Sequence, residues 1–162
     1  MPSLSVIVNT SPLLYLFRAG QIEILRGLYE EVLAPPAVAD ELLAGSRVGV
    51  EVPRLAEYPW IRAAEVRGSA VLPAIVDLGR GEAEVIALGL ERSGSLLILD
   101  DMLARRVAVL NGLRVTGTLG VLLRAKQRGI LSAVGPTLHR LRDVGMWLND
   151  DVCAWLLGQA GE

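Results

Sequence analysis

Short, uninterrupted apolar segments alternate with helix-length amphipathic segments along this chain, and they constrain its fold more than any other feature. SVIV at residues 5–8 and LLIL at residues 96–99 are the clearest of these apolar segments. Strands with one face in water alternate polar and apolar residues, whereas strands buried on both faces are apolar throughout. The pattern therefore predicts an α/β fold in three layers, with a short central parallel sheet between two layers of helices.

The same pattern sets the expected order of elements within one domain over residues 1–162. Strands are predicted at residues 5–8, 32–33, 60–63, 96–99 and 113–115, and helices at 13–19, 22–29, 37–44, 82–93, 102–110 and 119–127, followed by C-terminal helices within about 136–158. Thr10 or Ser11 is expected to cap the first helix, and Gly45 to end the third. Residues 46–59 are predicted to form a loop.

Composition excludes several classes of protein. No apolar run approaches the roughly 20 residues that a membrane-spanning helix needs, and the first residues lack the pattern of a secretory signal peptide. The chain has one cysteine, Cys153, and one histidine, His139. An internal disulfide and a Cys/His zinc cluster are therefore excluded, and a cytoplasmic location is expected.

The basic residues are unevenly distributed although the formal net charge is only −2. Residues 102–142 contain no Asp or Glu and carry eight Lys or Arg residues. A locally basic surface beside acidic residues is expected for a protein that contacts a phosphate backbone. The structural alternative is that these arginines lie at helix C-termini or pair with acids elsewhere.

Oxygen-bearing side chains follow the predicted strands or lie at the starts and borders of helices. Asn9 follows the first strand, Asp100 and Asp101 follow the strand at 96–99, Glu82 begins a helix after Gly81, and Glu41 borders an apolar helix face. Ligands of open α/β sheets bind beyond the carboxyl ends of the strands. Carboxylate and amide oxygens suit Mg²⁺ or Mn²⁺. When no metal ion is bound, the carboxylates of such a cluster repel one another, so one carboxyl group should have a raised pKa.

Each of these residues also has a purely structural interpretation. Glu82 and Glu84 would favour a helix N-terminus electrostatically, and Asp100 or Asp101 would cap the following helix. Glu41 alone would be a solvated helix residue, and Asn9 would form a turn before the first helix. The joint arrangement, rather than any one residue, points to a metal site.

Four segments in order resemble a PIN domain, the fold of many Mg²⁺-dependent ribonucleases. They are VIVNTSPLLYL, PPAVADEL, GEAEVIALGLERSGSLLILDD and TGTLGVLLRAK, and together they span most of the chain. The last is similar to a branch described as predicted nucleic acid-binding proteins, related in part to VapC-like toxins of toxin–antitoxin pairs. The resemblance implies hydrolysis of RNA phosphodiesters, with Mg²⁺ or Mn²⁺ as cofactor, and an antitoxin protein as a partner.

The resemblance also implies which residues form the site. Glu41, Glu82 and Asp100 would be catalytic, and Asn9, Glu41, Glu82, Asp100 and Asp101 would be the metal ligands. Contacts to nucleic acid would come from Thr10, Ser11, Arg105, Arg106, Arg124, Lys126 and Arg128.

Two positions depart from the usual pattern: Asn9 replaces the first Asp, and Glu82 replaces an Asp. Asn9 retains one coordinating oxygen but loses a negative charge, so metal affinity should fall.

Two other functions stay open at this point. The first is a PIN-like nucleic-acid-binding module that has lost catalysis through Asn9. The second is an unrelated α/β phosphate-binding protein that uses Gly117–Gly120 at a helix N-terminus. A receiver-like protein is disfavoured, because its first strand would end in an acid pair and not in Asn9.

Partner surfaces are less sharply defined by the sequence. Aromatic residues make up only 4% of the chain, which argues against a surface that stacks individual bases. The high apolar content of 52% favours a homodimer formed through a helical face. Trp147 and Trp155 would anchor a protein partner or, as the favoured interpretation, complete the core.

Overall fold

The central element of the fold is a five-stranded sheet in which every pairing is parallel. A computed structural model describes residues 4–68 and 77–162. The strands are β1 Ser5–Val8, β2 Glu31–Ala34, β3 Ile61–Ala63, β4 Leu96–Ile98 and β5 Arg114–Thr116. They lie in the order β3-β2-β1-β4-β5. The predicted parallel sheet is therefore confirmed, and each strand lies within two residues of its predicted position.

Helices cover both faces of this sheet, which confirms the three-layer architecture. They are α1 Thr10–Arg18, α2 Glu23–Leu28, α3 Pro36–Arg47, α4 Arg80–Glu91, α5 Met102–Leu110, α6 Thr118–Gln127, α7 Gly135–Asp143 and α8 Asp150–Gln159. α3 packs against α4, and α4 packs against α5. α1, α2 and α8 pack against α6, and α7 packs against α1. The expected loop at residues 46–59 contains a short 3₁₀ turn, Leu55–Glu57.

β4 is apolar throughout, and β1 is apolar after Ser5, because both faces of these central strands are covered. Ile7, Leu97 and Ile98 are completely buried, as are the helix residues that pack on them. α4 approaches the sheet closely through Gly89, where an added Cβ would lie 2.7 Å from Leu97 Cδ1 and 3.3 Å from Leu113 Cδ1. A side chain at this position would push the helix away from β4, so glycine is required for this contact.

Two predicted helix ends are wrong. Asn9, and not Thr10 or Ser11, is the N-cap of α1, and its side chain makes no capping hydrogen bond. α3 continues past Gly45 to Arg47. The left-handed backbone that favours glycine at a helix end occurs instead at Gly49, with φ +85°.

The C-terminal tryptophans do not complete the core, contrary to the favoured interpretation of the sequence. Trp147 is 82% exposed and Trp155 is 59% exposed. The buried residues of α8 are Cys153 and Leu156, which lie on a different face from Trp155. No helix among residues 4–68 and 77–162 has the length and apolar character needed to cross a membrane.

The sheet order creates a crevice between the carboxyl ends of β1 and β4. β1 pairs with β2 on one side and with β4 on the other, so the chain leaves these neighbouring strands in opposite directions. The Asn9 backbone N–H donates to Ile98 O at 3.1 Å, which joins the two strand ends. Such a switch point is where open α/β sheets bind ligands.

Candidate functional site

Asn9 and Glu41 meet at Gly81, at the switch point of the sheet. Asn9 is only 3% exposed, and its Oδ1 is buried with no hydrogen-bond partner. A Cβ added at Gly81 would lie 2.9 Å from Asn9 Oδ1 and 2.7 and 2.8 Å from the two Glu41 carboxylate oxygens. The absence of a side chain at Gly81 therefore leaves room for three oxygen atoms to converge.

Two donors hold the Glu41 carboxylate in this position. The Gly81 backbone N–H donates to Oε1 at 2.8 Å, and the Thr10 hydroxyl donates to Oε2. Thr10, which was expected to contact nucleic acid, donates its hydroxyl hydrogen to Glu41 in the structure. Ser11 lies half-buried in the first turn of α1.

Glu82 is the carboxyl group whose protonation the site perturbs most clearly. Burial raises the pKa of Glu82, and the negative charges of Asp101 and Glu41 raise it further, while the Gly79 backbone N–H acts in the opposite direction. The predicted rise in the pKa of one carboxyl group is thus found at Glu82, although burial, and not repulsion among the acids, is its largest cause.

The consecutive residues Asp100 and Asp101 have different surroundings. Asp101 Oδ1 accepts from Ala104 N at 2.8 Å and caps α5, as one of the two was expected to do. Both carboxylate oxygens of Asp100 accept from Thr118, Oδ1 from the backbone N–H at 2.8 Å and Oδ2 from the hydroxyl at 2.6 Å. Asp100 therefore occupies the N-terminus of α6, where an unrelated phosphate-binding protein, the alternative function, would bind its phosphate.

Arg105 brings a positive charge to the same edge of the sheet. Its Nη1 donates to Leu99 O at 3.3 Å. A Cβ at Gly117 would lie 2.5 Å from Arg105 Nη1 and 2.8 Å from Asp100 Oδ1, so Gly117 allows both groups to approach the β5–α6 turn. Arg106, the next residue of α5, is exposed.

The comparison with known families agrees with this geometry. A family model described as a PIN domain matches residues 5–162. The chain belongs to the PIN domain family. No curated protein matches the chain. Membership makes the protein a nucleic-acid-binding module of the nuclease type, and PIN domains generally use divalent metal ions.

The oxygen atoms at this site are of the kind that a hard divalent cation prefers, although there are few of them. Asn9 Oδ1 is a buried oxygen without a partner, and the Glu41 carboxylate faces the same space. Within the part of the chain that the structure describes, no three Asp, Glu, His or Cys side chains lie close enough to hold an ion together. An ion here would be held by the Asn9 amide oxygen and at most two carboxylates, which predicts weak affinity.

The basic residues near the end of α6 lie far from this site. Arg124 and Arg128 interact electrostatically with Tyr29, whose pKa is raised by burial and lowered by these two charges. Tyr29 lies two residues before β2 and so at the amino edge of the sheet. Lys126 donates to Ser132 O at 2.6 Å and lies 3.8 Å from Glu162. Thr118, which contacts Asp100, begins α6, and Arg124 and Arg128 lie six and ten residues later, about 9 and 15 Å along the helix at 1.5 Å per residue.

One residue with a role in the site was not identified as such from the sequence: Thr118, which is completely buried and holds Asp100. Gly81, noted from the sequence as the residue before Glu82, provides the space beside Asn9 and Glu41. The signal for Thr118 was its place in the Gly117–Gly120 turn, which was interpreted as a phosphate site. Glu84 has a structural role, since it accepts from Ala37 N at 2.8 Å.

Proposed function

We propose that this PIN domain is a divalent-metal-dependent ribonuclease that hydrolyses RNA phosphodiesters, with Mg²⁺ or Mn²⁺ as cofactor. One observation carries the proposal: the buried, unpartnered Asn9 Oδ1 and the Glu41 carboxylate converge at the switch point of the sheet. A buried oxygen without a partner is unfavourable unless a ligand satisfies it. A bound cation would satisfy it and would relieve the repulsion that acts on Glu82.

Asn9 and Glu41 would hold the metal, with Glu82, Asp100 or Asp101 as the further carboxylate. The bound ion would polarise a phosphoryl oxygen and lower the pKa of a coordinated water. Thr10 keeps Glu41 oriented through its hydroxyl. Glu82, where it is not itself a ligand, would take up a proton as water attacks phosphorus.

Asp100 stays a proposed catalytic residue and metal ligand, because each of its oxygens accepts one hydrogen bond from Thr118 and keeps a further lone pair. Asp101 is the acid that acts on Glu82. Arg105, held at Leu99 O, would contact a phosphate of the RNA, and the exposed Arg106 would extend that contact. Arg124, Lys126 and Arg128 would contact only a longer RNA that reaches the opposite edge of the sheet.

A binding module without catalysis is the second candidate, and the Asn9 position favours it. An amide in place of a carboxylate lowers the negative charge that attracts the ion. The toxin role, the antitoxin partner, the homodimer and the cytoplasmic location remain proposals that rest on the family resemblance and on composition.

The test is cleavage of a labelled pool of single-stranded RNA with Mn²⁺ or Mg²⁺, with and without EDTA. Glu41→Gln should abolish cleavage, whereas Asp40→Asn should not, because the neighbouring Asp40 is exposed and pairs with Arg80. Failure of the natural chain to cut, with cutting by Asn9→Asp, would favour the binding module. Failure of both would refute the nuclease.

A further inference from the structure

A groove beside the candidate site combines an arginine with two exposed tryptophans. It has a volume of about 450 Å³, and Asp100, Arg105, Gly117, Trp147 and Trp155 are among its lining residues. The volume lies within the roughly 300–1,000 Å³ typical of small-molecule sites. The site described above continues directly into this groove, because Asp100 and Arg105 belong to both.

Trp147 is held at the rim of the groove by the residues on either side of it. Met146 and Leu148 pack against the hydrophobic core. The Met146 backbone N–H donates to Leu141 O at 2.9 Å, and Arg142 donates to Leu148 O at 3.4 Å. The loop is therefore fixed on both sides of Trp147, and the indole is 82% exposed because its fixed neighbours direct it outward.

Trp155 is placed on the groove by the helical period of α8. The helix buries Cys153 and Leu156, while Val152 and Trp155, three residues apart, share the face that lines the groove. Two large aromatic faces are thus presented to the same space from a fixed loop and a packed helix.

One positive charge, that of Arg105, lines the groove together with the carboxylate of Asp100. The walls formed by α5 and by the β5–α6 turn come from residues 102–142, the segment that has no Asp or Glu. The carboxylate of Asp100, which also lines the groove, is engaged by Thr118. Asp150, next to the lining residue Asn149, is paired with Arg142. Arg105 is therefore the charged side chain with donors to offer a phosphate in this groove.

We infer that this groove binds unpaired nucleobases of single-stranded RNA, stacked on Trp147 and Trp155, while Arg105 holds an adjacent phosphate. Aromatic stacking next to a phosphate-binding cation is the common means of holding single strands without reading their sequence. The inference rests on the proposed function, since it names the form of RNA that the site would receive. It also reverses the expectation, drawn from the low aromatic content, that no stacking surface exists.

Binding without cleavage tests this inference separately from catalysis. A fluorescein-labelled 12-nucleotide oligouridylate is titrated with the protein in EDTA and followed by anisotropy. Trp147→Leu and Trp155→Leu should each weaken binding about 5- to 150-fold, the range measured for stacked bases. Trp147→Phe should retain most of the affinity because it keeps an aromatic face. Leu110→Ala, an exposed apolar truncation outside the groove, should change nothing.

The same titration is repeated with a second ligand, a ribose-phosphate chain of the same length without bases. The natural protein should bind it more weakly than the oligouridylate, and the double variant Trp147→Leu with Trp155→Leu should bind both equally. Equal binding of the two ligands by the natural protein, or unchanged binding by the Leu variants, would overturn the inference even if metal-dependent cleavage is found. Loss of a dimer in light scattering with Trp147→Leu, without loss of RNA binding, would instead identify the groove as a protein interface.

Discussion

Asn9→Asp tests directly whether the side chain at this position faces Glu41. Asn9 Oδ1 and the Glu41 oxygens all lie within 2.9 Å of one point, which places them less than about 6 Å apart. Two unit charges at about 6 Å repel by about 3 kcal/mol at an effective dielectric constant of about 20. The substitution is nearly isosteric, and it places a new charge at a buried position. We therefore expect the free energy of unfolding to fall by about 2–3 kcal/mol in the absence of metal.

The measurement is urea denaturation at pH 7 in EDTA, repeated with Mn²⁺. Gln159→Glu introduces the same change of charge at an exposed position of α8 and should cost only a few tenths of a kcal/mol. Saturating Mn²⁺ should recover stability in Asn9→Asp and have a smaller effect on the natural chain. If Asn9→Asp is as stable as the natural chain in EDTA, Asn9 does not face Glu41, and the proposed ion site is wrong.

Three further predictions concern single contacts. Thr118→Val removes the hydroxyl that donates to Asp100 and should cost about 1.5–3 kcal/mol in urea denaturation; Thr118→Ser keeps the donor, so an equal loss in both variants would contradict a role for the hydroxyl. Gly81→Ala would bring a Cβ within 2.9 Å of three oxygens and should abolish cleavage, whereas Gly158→Ala, which meets nothing within 4 Å, should leave it intact. The pKa of Glu162 is lowered from its usual 4.5 by two backbone N–H groups at the start of α7. The stability this provides is complete above about pH 5 and is lost as pH falls through the lowered folded pKa. The advantage of the natural chain over Glu162→Gln should therefore disappear in acid, and a difference that is constant with pH would contradict it.

The order of elements could be predicted because it depends on local periodicity. Continuous apolar strands at residues 5–8 and 96–99 require cover on both faces, and only a parallel sheet between helices provides it. Residues that end such strands collect at one edge, which is why Asn9 and Asp101 could be assigned to one site. Helix ends were less predictable, since α3 passes Gly45 and turns only near Gly49.

The direction of individual side chains could not be predicted in the same way. Asp100 and Asp101 are adjacent and chemically identical, yet one is engaged by Thr118 on α6 and the other acts on Glu82 of α4. This difference depends on which helix packs beside β4 and which follows β5. Likewise, the basic residues at the end of α6 lie at the opposite edge from the site because a helix after a parallel strand must run back across the sheet.

The sequence by itself determined the layers, the parallel sheet and the collection of oxygen-bearing residues at its carboxyl edge, since strand burial and helix amphipathicity are local properties. Tertiary structure decided the partners of those residues. Thr10 orients Glu41, and Asn9 Oδ1 has no partner, because α1, α3 and α4 meet at Gly81. It also decided that Trp147 faces outward. The direction of a loop side chain depends on which neighbouring residues are buried in the core, and that is decided only when the molecule is packed.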